Sequence, residues 1–115
     1  MAERRTVLFL TRDDDTAIRL AGSCALAAAA MGDRVDVFLF GRAVPAVVAA
    51  HGEADGPARL LHQAREGGGC RLLACSQSLV AERVDAAAAE RALDAVVGWP
   101  TVIEWSRGVV DRFFF

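Results

Sequence analysis

The sequence predicts an α/β fold: a three-layer sandwich with a mainly parallel sheet of about five strands and helices on both faces. Short apolar runs alternate with amphipathic or alanine-rich segments along the whole chain. Hydrophobic residues make up 54% of the 115 residues, a share typical of strands that are buried on both faces. No linker or internal repeat interrupts the alternation, so residues 1–115 are expected to form one domain.

The first three elements predict a βαβ unit. Thr6–Thr11 is an apolar strand flanked by charged residues, and Asp15 or Thr16 is expected to cap the helix that follows. Arg34–Phe40 is the second strand, parallel to the first because crossovers of this kind are almost always right-handed. The helix between them carries its apolar residues at helical spacing: Ala17, Leu20, Ala21, Cys24, Ala28 and Met31.

The middle of the chain predicts two helices and a third strand. The segment 41–50 is alanine-rich, with Pro45 tolerated near the helix start. After a loop over 51–57, Ala58–Glu66 has one apolar helical face and ends at three glycines. The next apolar run, Arg71–Cys75, is expected to be a strand that leaves the sheet at small polar residues.

The last third of the chain continues the alternation. Asp85 is the expected N-cap of a helix over 85–95, followed by a brief strand at 96–97. Pro100 is suited to the first turn of a final helix, which is expected to close at Gly108. Residues 109–113 then predict the last strand.

Composition excludes several functional classes. The formal net charge is −2 and every basic residue is an arginine, so there is no basic excess to bind a nucleic acid. No apolar run approaches the roughly 20 residues that span a bilayer, and no signal-peptide cleavage pattern follows the first strand. We therefore expect a cytoplasmic protein without membrane contact. The odd number of cysteines, three, indicates reduced thiols rather than disulfides.

Cys75 is the candidate catalytic residue. It stands where the third strand ends, at the edge where parallel sheets place their ligands. If a helix follows, its free N–H groups and dipole favour a thiolate, which is the nucleophilic form of cysteine. Ser76, Gln77 and Ser78 could donate hydrogen bonds to that anion, although Ser78 could equally be a helix cap. A buried, inert cysteine is the alternative, because free cysteines commonly fill apolar space.

The other candidate residues have weaker evidence for a functional role. Cys24 is expected to be structural, and Cys70 points away from Cys75 at about 16 Å, too far for a disulfide. Thr11 ends the first strand and Asp13 follows it, so both would face the same cleft as Cys75. The acidic run Asp13-Asp14-Asp15 could bind a hard cation or face that cleft, although such a run is commonly a solvated loop and helix cap. His51 and His62 lack metal-ligand spacing and are expected at the surface. The sequence predicts neither a metal nor a cofactor.

Four local motifs, in this order, resemble the DsrE-like family of small sulfur-relay proteins. They are Val7-Leu8-Phe9-Leu10-Thr11-Arg12-Asp13-Asp14, Ala30-Met31-Gly32 before Val35-Asp36-Val37-Phe38-Leu39-Phe40, Ala74-Cys75 with Ser78, and Val110-Asp111. The resemblance covers nearly the whole chain. It implies a compact α/β domain that assembles into trimers or hexamers, with Cys75 at the position where relay members carry a persulfide.

Two functional hypotheses follow. In the first, the protein is a cytoplasmic sulfur carrier, akin to a sulfurtransferase, that holds a persulfide on Cys75 between a donor and an acceptor protein. In the second, it is a non-catalytic oligomeric module that binds a small ligand or partner while Cys75 stays inert. A thiol-dependent reductase is disfavoured because the chain has no Cys-x-x-Cys motif. The three terminal phenylalanines, 113–115, are expected to help bury a subunit interface.

Overall fold

The computed structural model describes residues 4–108 and 110–115 and confirms the predicted fold class: one parallel sheet with helices on both faces. The elements are β1 (Arg5–Leu10), α1 (Asp15–Ala30), β2 (Arg34–Leu39), α2 (Ala43–Ala49), α3 (Arg59–Glu66), β3 (Cys70–Cys75), α4 (Ser76–Ala81), α5 (Ala86–Ala92), β4 (Ala95–Val97), α6 (Trp99–Trp105) and β5 (Val110–Phe114). Val109, the predicted first residue of the last strand, lies outside the described residues.

The strand order of the sheet is β4-β3-β2-β1-β5, and every neighbouring pair is parallel. From β1 to β4 the chain steps in one direction across the sheet, so right-handed crossovers place the intervening helices on one face. It then returns from β4 to the far side of β1. That reversal places α6 on the opposite face.

The two faces of the sheet are therefore covered unequally. The covered face carries Leu8, Val37 and Leu72, which join the main core beneath α1, α2, α3 and α5. The open face carries Val7, Phe38, Leu73 and Val97, which pack with Val102 of α6. Seven helical residues span about 10 Å, whereas five strands span about 19 Å, so α6 cannot cover this face alone.

Close packing of α1 on α3 explains where the predicted apolar stripe of α1 was wrong. A Cβ built on Gly22 would stand 2.7 Å from the Cβ of Leu60, so this crossing requires glycine. The face of α1 that is turned inward carries mostly alanine and glycine: Ala17, Ala21, Gly22, Ala25 and Ala28. Ile18 is buried beside them. As a result Leu20 and Met31, which the pattern placed inside, are 54% and 74% exposed.

The N-cap residue agrees with the prediction for α5 and lies earlier in the chain than predicted for α1. Asp14, rather than Asp15 or Thr16, caps α1, because its Oδ2 accepts the N–H of Ala17 at 3.0 Å. Asp85 caps α5 as predicted and accepts the N–H of Ala88 at 2.9 Å. Helix α5 ends three residues earlier than predicted because the chain extends at Ala95 to pair with β3.

His62 is buried, so the prediction that it lies at the surface was wrong. Its Nε2 lies 3.0 Å from the carbonyl oxygen of Val47 and donates to it, since a carbonyl can only accept. This bond ties α3 to α2. Its Nδ1 is buried without a partner among the described residues, and burial lowers the pKa of the ring.

Stability should therefore fall on mild acidification. A histidine pKa lowered by folding means that the unfolded chain binds more protons, so stability present above about pH 6.5 is lost as the pH falls below it. We expect the free energy of unfolding measured in urea to be lower at pH 5.5 than at pH 7.5 by on the order of 1 kcal/mol. This decrease should be absent in His62→Gln. The exposed His51→Gln variant is the control. An unchanged pH dependence in His62→Gln would refute this role.

Candidate functional site

Cys75 is the last residue of β3, as the sequence predicted, and it immediately precedes α4. Its partner in the sheet is Val97 of β4. Because side chains alternate along a strand, Leu73 and Cys75 face the open side of the sheet, whereas Cys70 faces the covered side. Cys75 is 5% exposed, so most of its side chain is enclosed.

Aromatic rings border Cys75 on the open face. The register pairs Leu39 with Ala74, so the next residue of each chain segment, Phe40 and Cys75, lie side by side. The ring of Phe40 stacks on Trp99 with centroids 5.2 Å apart. Phe9 lies 6.2 Å beyond Phe40. Together with Phe114, 5.0 Å from Phe9, these side chains form what we call the aromatic row: Trp99, Phe40, Phe9 and Phe114.

The polar residues after Cys75 have separate roles. Ser78 Oγ accepts the N–H of Gly41 at 2.7 Å, which ties α4 to the turn that follows β2. Gly41 has a φ of +56°, a conformation that favours glycine at this contact. Ser76 is half-buried and Gln77 is exposed. The Cys75 side chain makes no capping hydrogen bond to α4.

Thr11 and Asp13 reach the same edge of the sheet from β1. Two strand spacings separate β1 from β3, so they lie about 10 Å across the sheet from Cys75. The Thr11 hydroxyl donates to the carbonyl oxygen of Phe115 at 3.1 Å, which fixes the end of the chain. Asp13 is exposed in the loop before α1.

Cys24 and Cys70 lie in surroundings that disfavour a thiolate. Cys70 is buried on the covered face, where loss of solvent and the charges of Asp94 and Asp36 raise its pKa to about 12. Burial also raises the pKa of Cys24, which packs against the main core from α1. Cys75 is the cysteine that lies on the open face.

Across 4–108 and 110–115, no group of three His, Cys, Asp or Glu side chains is arranged to hold a metal ion. Over the same ranges, no helix combines the length and apolar character needed to cross a membrane.

Sequence reasoning missed the stacked pair of Phe40 and Trp99 at the carboxyl edge of the sheet. Trp99 is 49% exposed. The apolar character of both residues was visible in the sequence. Their proximity depends on the register of β2 against β3 and on the turn after β4, which no local pattern specifies.

Comparison with known proteins identifies both a family and a fold. A model of the DsrE/DsrF-like family matches residues 5–107. The solved structure of a protein of unknown function from Methanobacterium thermoautotrophicum, MTH1491, superposes with a TM-score of 0.68. The two chains are 23% identical, and the match covers 96% of this chain and 99% of that one, which supports the fold. No curated protein matches the chain.

The burial of Cys70 predicts that alkylating reagents react with it far more slowly in the folded protein than in the unfolded protein. With a pKa of about 12, Cys70 is a thiolate in only about one molecule in ten thousand at pH 8. We expect iodoacetamide to leave Cys70 unlabelled in the native protein and to label it rapidly in urea, as peptide mass spectrometry would show. Equal labelling rates in the two conditions would contradict the burial described here.

Proposed function

The chain belongs to the DsrE/DsrF-like family, and we propose that it is a cytoplasmic sulfur carrier that holds a persulfide on Cys75. Family membership indicates sulfur relay at the level of the family. The observation that carries the proposal for this chain is the position of Cys75, at the carboxyl end of β3 on the open face. Open parallel sheets commonly bind their substrates at this edge.

The reaction requires no external oxidant or reductant. The Cys75 thiolate attacks the outer sulfur of a donor persulfide, forming a new S–S bond while the donor S–S bond breaks and releases the donor thiolate. An acceptor thiolate then attacks the outer sulfur held on Cys75. That step regenerates the Cys75 thiolate, so one sulfur atom moves from donor to acceptor. The donor thiolate and the acceptor thiol each exchange one proton with water.

Local opening would give the donor access to Cys75. The sulfur is enclosed in the single chain, but the helix that follows it, α4, contains no buried residue. Its half-buried Leu79 packs against the main core, but segments without fully buried residues open at low free-energy cost. Such a movement would also break the hydrogen bond from Gly41 to Ser78.

Substitution of Cys75 tests the carrier role. We expect Cys75→Ser to fold normally yet fail to gain the 32 Da of one sulfur atom when the protein is offered a persulfide donor, because the attacking thiolate is gone. Intact-mass spectrometry reports the gain. Cys24→Ser and Cys70→Ser are the matched controls and should gain the mass. A Cys75→Ser variant that still gains one sulfur would remove the assignment.

We also propose that the chain forms a homo-oligomer, a trimer or hexamer, through the aromatic row. Phe114 is 72% exposed and Trp99 is 49% exposed, beside the uncovered part of the sheet. Exposed apolar surface of this kind commonly marks subunit contacts. The donor and acceptor proteins would then approach Cys75 at an edge shared with this interface.

A charge in the aromatic row should dissociate the oligomer. We expect Phe114→Glu to lower the mass measured by light scattering to that of a smaller species, because burying an unpaired carboxylate is costly. Leu20→Glu, at a 54% exposed position on α1, should leave the mass unchanged. An intact oligomer in Phe114→Glu would exclude this surface as the interface.

The second candidate function is a non-catalytic binding module, which the 5% exposure of Cys75 favours. In that case Cys75 fills apolar space on the open face of the sheet. Absence of sulfur loading on the wild-type protein, with a donor that loads a known reactive thiol, would support it.

A further inference from the structure

A cavity opens on the open face of the sheet, at the amino ends of the strands, opposite the edge that carries Cys75. It has a volume of about 500 Å³, within the usual range for small-molecule sites. Arg71 lies four residue steps before Cys75 along β3, so the cavity lies about 13 Å from the sulfur. Its lining residues come from the first halves of β1, β2 and β3 and from the end of α6: Arg5, Arg34, Asp36, Arg71, Glu104 and Trp105.

Asp36 organises the charges of this cavity. It is 7% exposed, and Arg71 binds it with two hydrogen bonds, from Nε at 2.8 Å and from Nη2 at 3.1 Å. Arg5 approaches the same carboxylate at 3.7 Å and also donates to the carbonyl oxygen of Trp105. These contacts hold two guanidinium groups in fixed positions at the wall.

Two guanidinium groups share one carboxylate in this cavity. Arg5 and Arg71 both approach Asp36, in a chain whose formal net charge is −2. Glu104, at the rim, also pairs with Arg107 at 3.6 Å, outside the lining. The hydrogen bonds of Arg71 use Nε and Nη2, which leaves its Nη1 without a partner among the described residues.

Trp105 adds a flat apolar surface beside these donors. The guanidinium carbon of Arg71 lies 4.4 Å from the centre of its ring, a cation–π contact that further restrains the side chain. The ring is half-buried, so part of it remains available to the hydrocarbon portion of a ligand. Donors fixed next to an apolar surface are typical of sites for small organic anions.

Stability alone does not account for this cluster. A buried ion pair gains little or nothing over well-packed apolar residues of the same volume, because desolvation offsets the attraction. The neighbouring positions on this face, Val7 and Leu73, show that the sheet accepts apolar residues there. The charged group therefore fits a binding role better than a packing role.

We propose that this cavity binds a small organic molecule through its oxyanion group, a carboxylate, phosphate or sulfonate. The oxyanion accepts hydrogen bonds from Arg71 and Arg5, and the body of the ligand rests against Trp105. Guanidinium groups suit this task because their planar donors match the oxygens of such groups. The site is separate from Cys75, so its existence does not depend on the sulfur-carrier proposal.

NMR titration of the full chain tests the site, with sulfate as the bare oxyanion and benzoate as an organic carboxylate, at ionic strength balanced with chloride. We expect saturable shifts of the Trp105 indole N–H and the Arg71 Nε–H, with tighter binding of benzoate than of sulfate because its ring rests against Trp105. Trp99 lies at the other edge and serves as the internal reference, with no expected shift. The absence of saturable shifts at about 50 mM of either anion would overturn the proposal, since millimolar affinity would saturate there.

Three variants sharpen the test. Arg71→Gln should weaken binding about fivefold or more, and Glu104→Gln should tighten it by up to about fivefold, as one unit charge near 4 Å in water implies. Arg19→Gln, an exposed arginine on α1, makes the same change in net charge and should bind as the wild type. The proposal fails if Arg71→Gln and Arg19→Gln behave alike. Because Glu104 is exposed, Glu104→Gln gives a result even if Arg71→Gln unfolds, and unchanged affinity in it would also contradict the proposal.

Discussion

The right-handed crossover is the constraint on which the rest of this structure depends. It places the helices between β1 and β4 on one face of the sheet and sends α6 to the other when the chain reverses direction to reach β5. One face is then sealed by a continuous core, while a seven-residue helix covers part of the other. The chemical groups of interest lie on that second face.

The open face separates two kinds of chemistry along the same strands. Its carboxyl edge brings together the thiol of Cys75, the turn into α4 and the aromatic row. Its amino edge brings together Asp36 and the arginines that bind it. Apolar residues such as Phe38 and Leu73 fill the space between the edges.

Much of this fold was predictable from the sequence because its signals are local. The apolar runs, the glycines after α3 and the Asp85 cap each specify an element within a few residues. What the sequence did not predict depends on partners distant in the chain. His62 is buried because Val47 offers it an acceptor, and Leu20 is exposed because Gly22 draws α1 onto α3. For the candidate site, the position of Cys75 was predictable, whereas its enclosure beside Phe40 was not.

The most direct test of the central claim is to locate the sulfur in the wild-type protein. After a single exposure to a persulfide donor, free thiols would be blocked and the protein digested for tandem mass spectrometry. The account predicts one additional sulfur on the peptide that contains Cys75, removed when an acceptor thiol is added. Sulfur on Cys24 or Cys70 instead, or on all three cysteines equally, would contradict it.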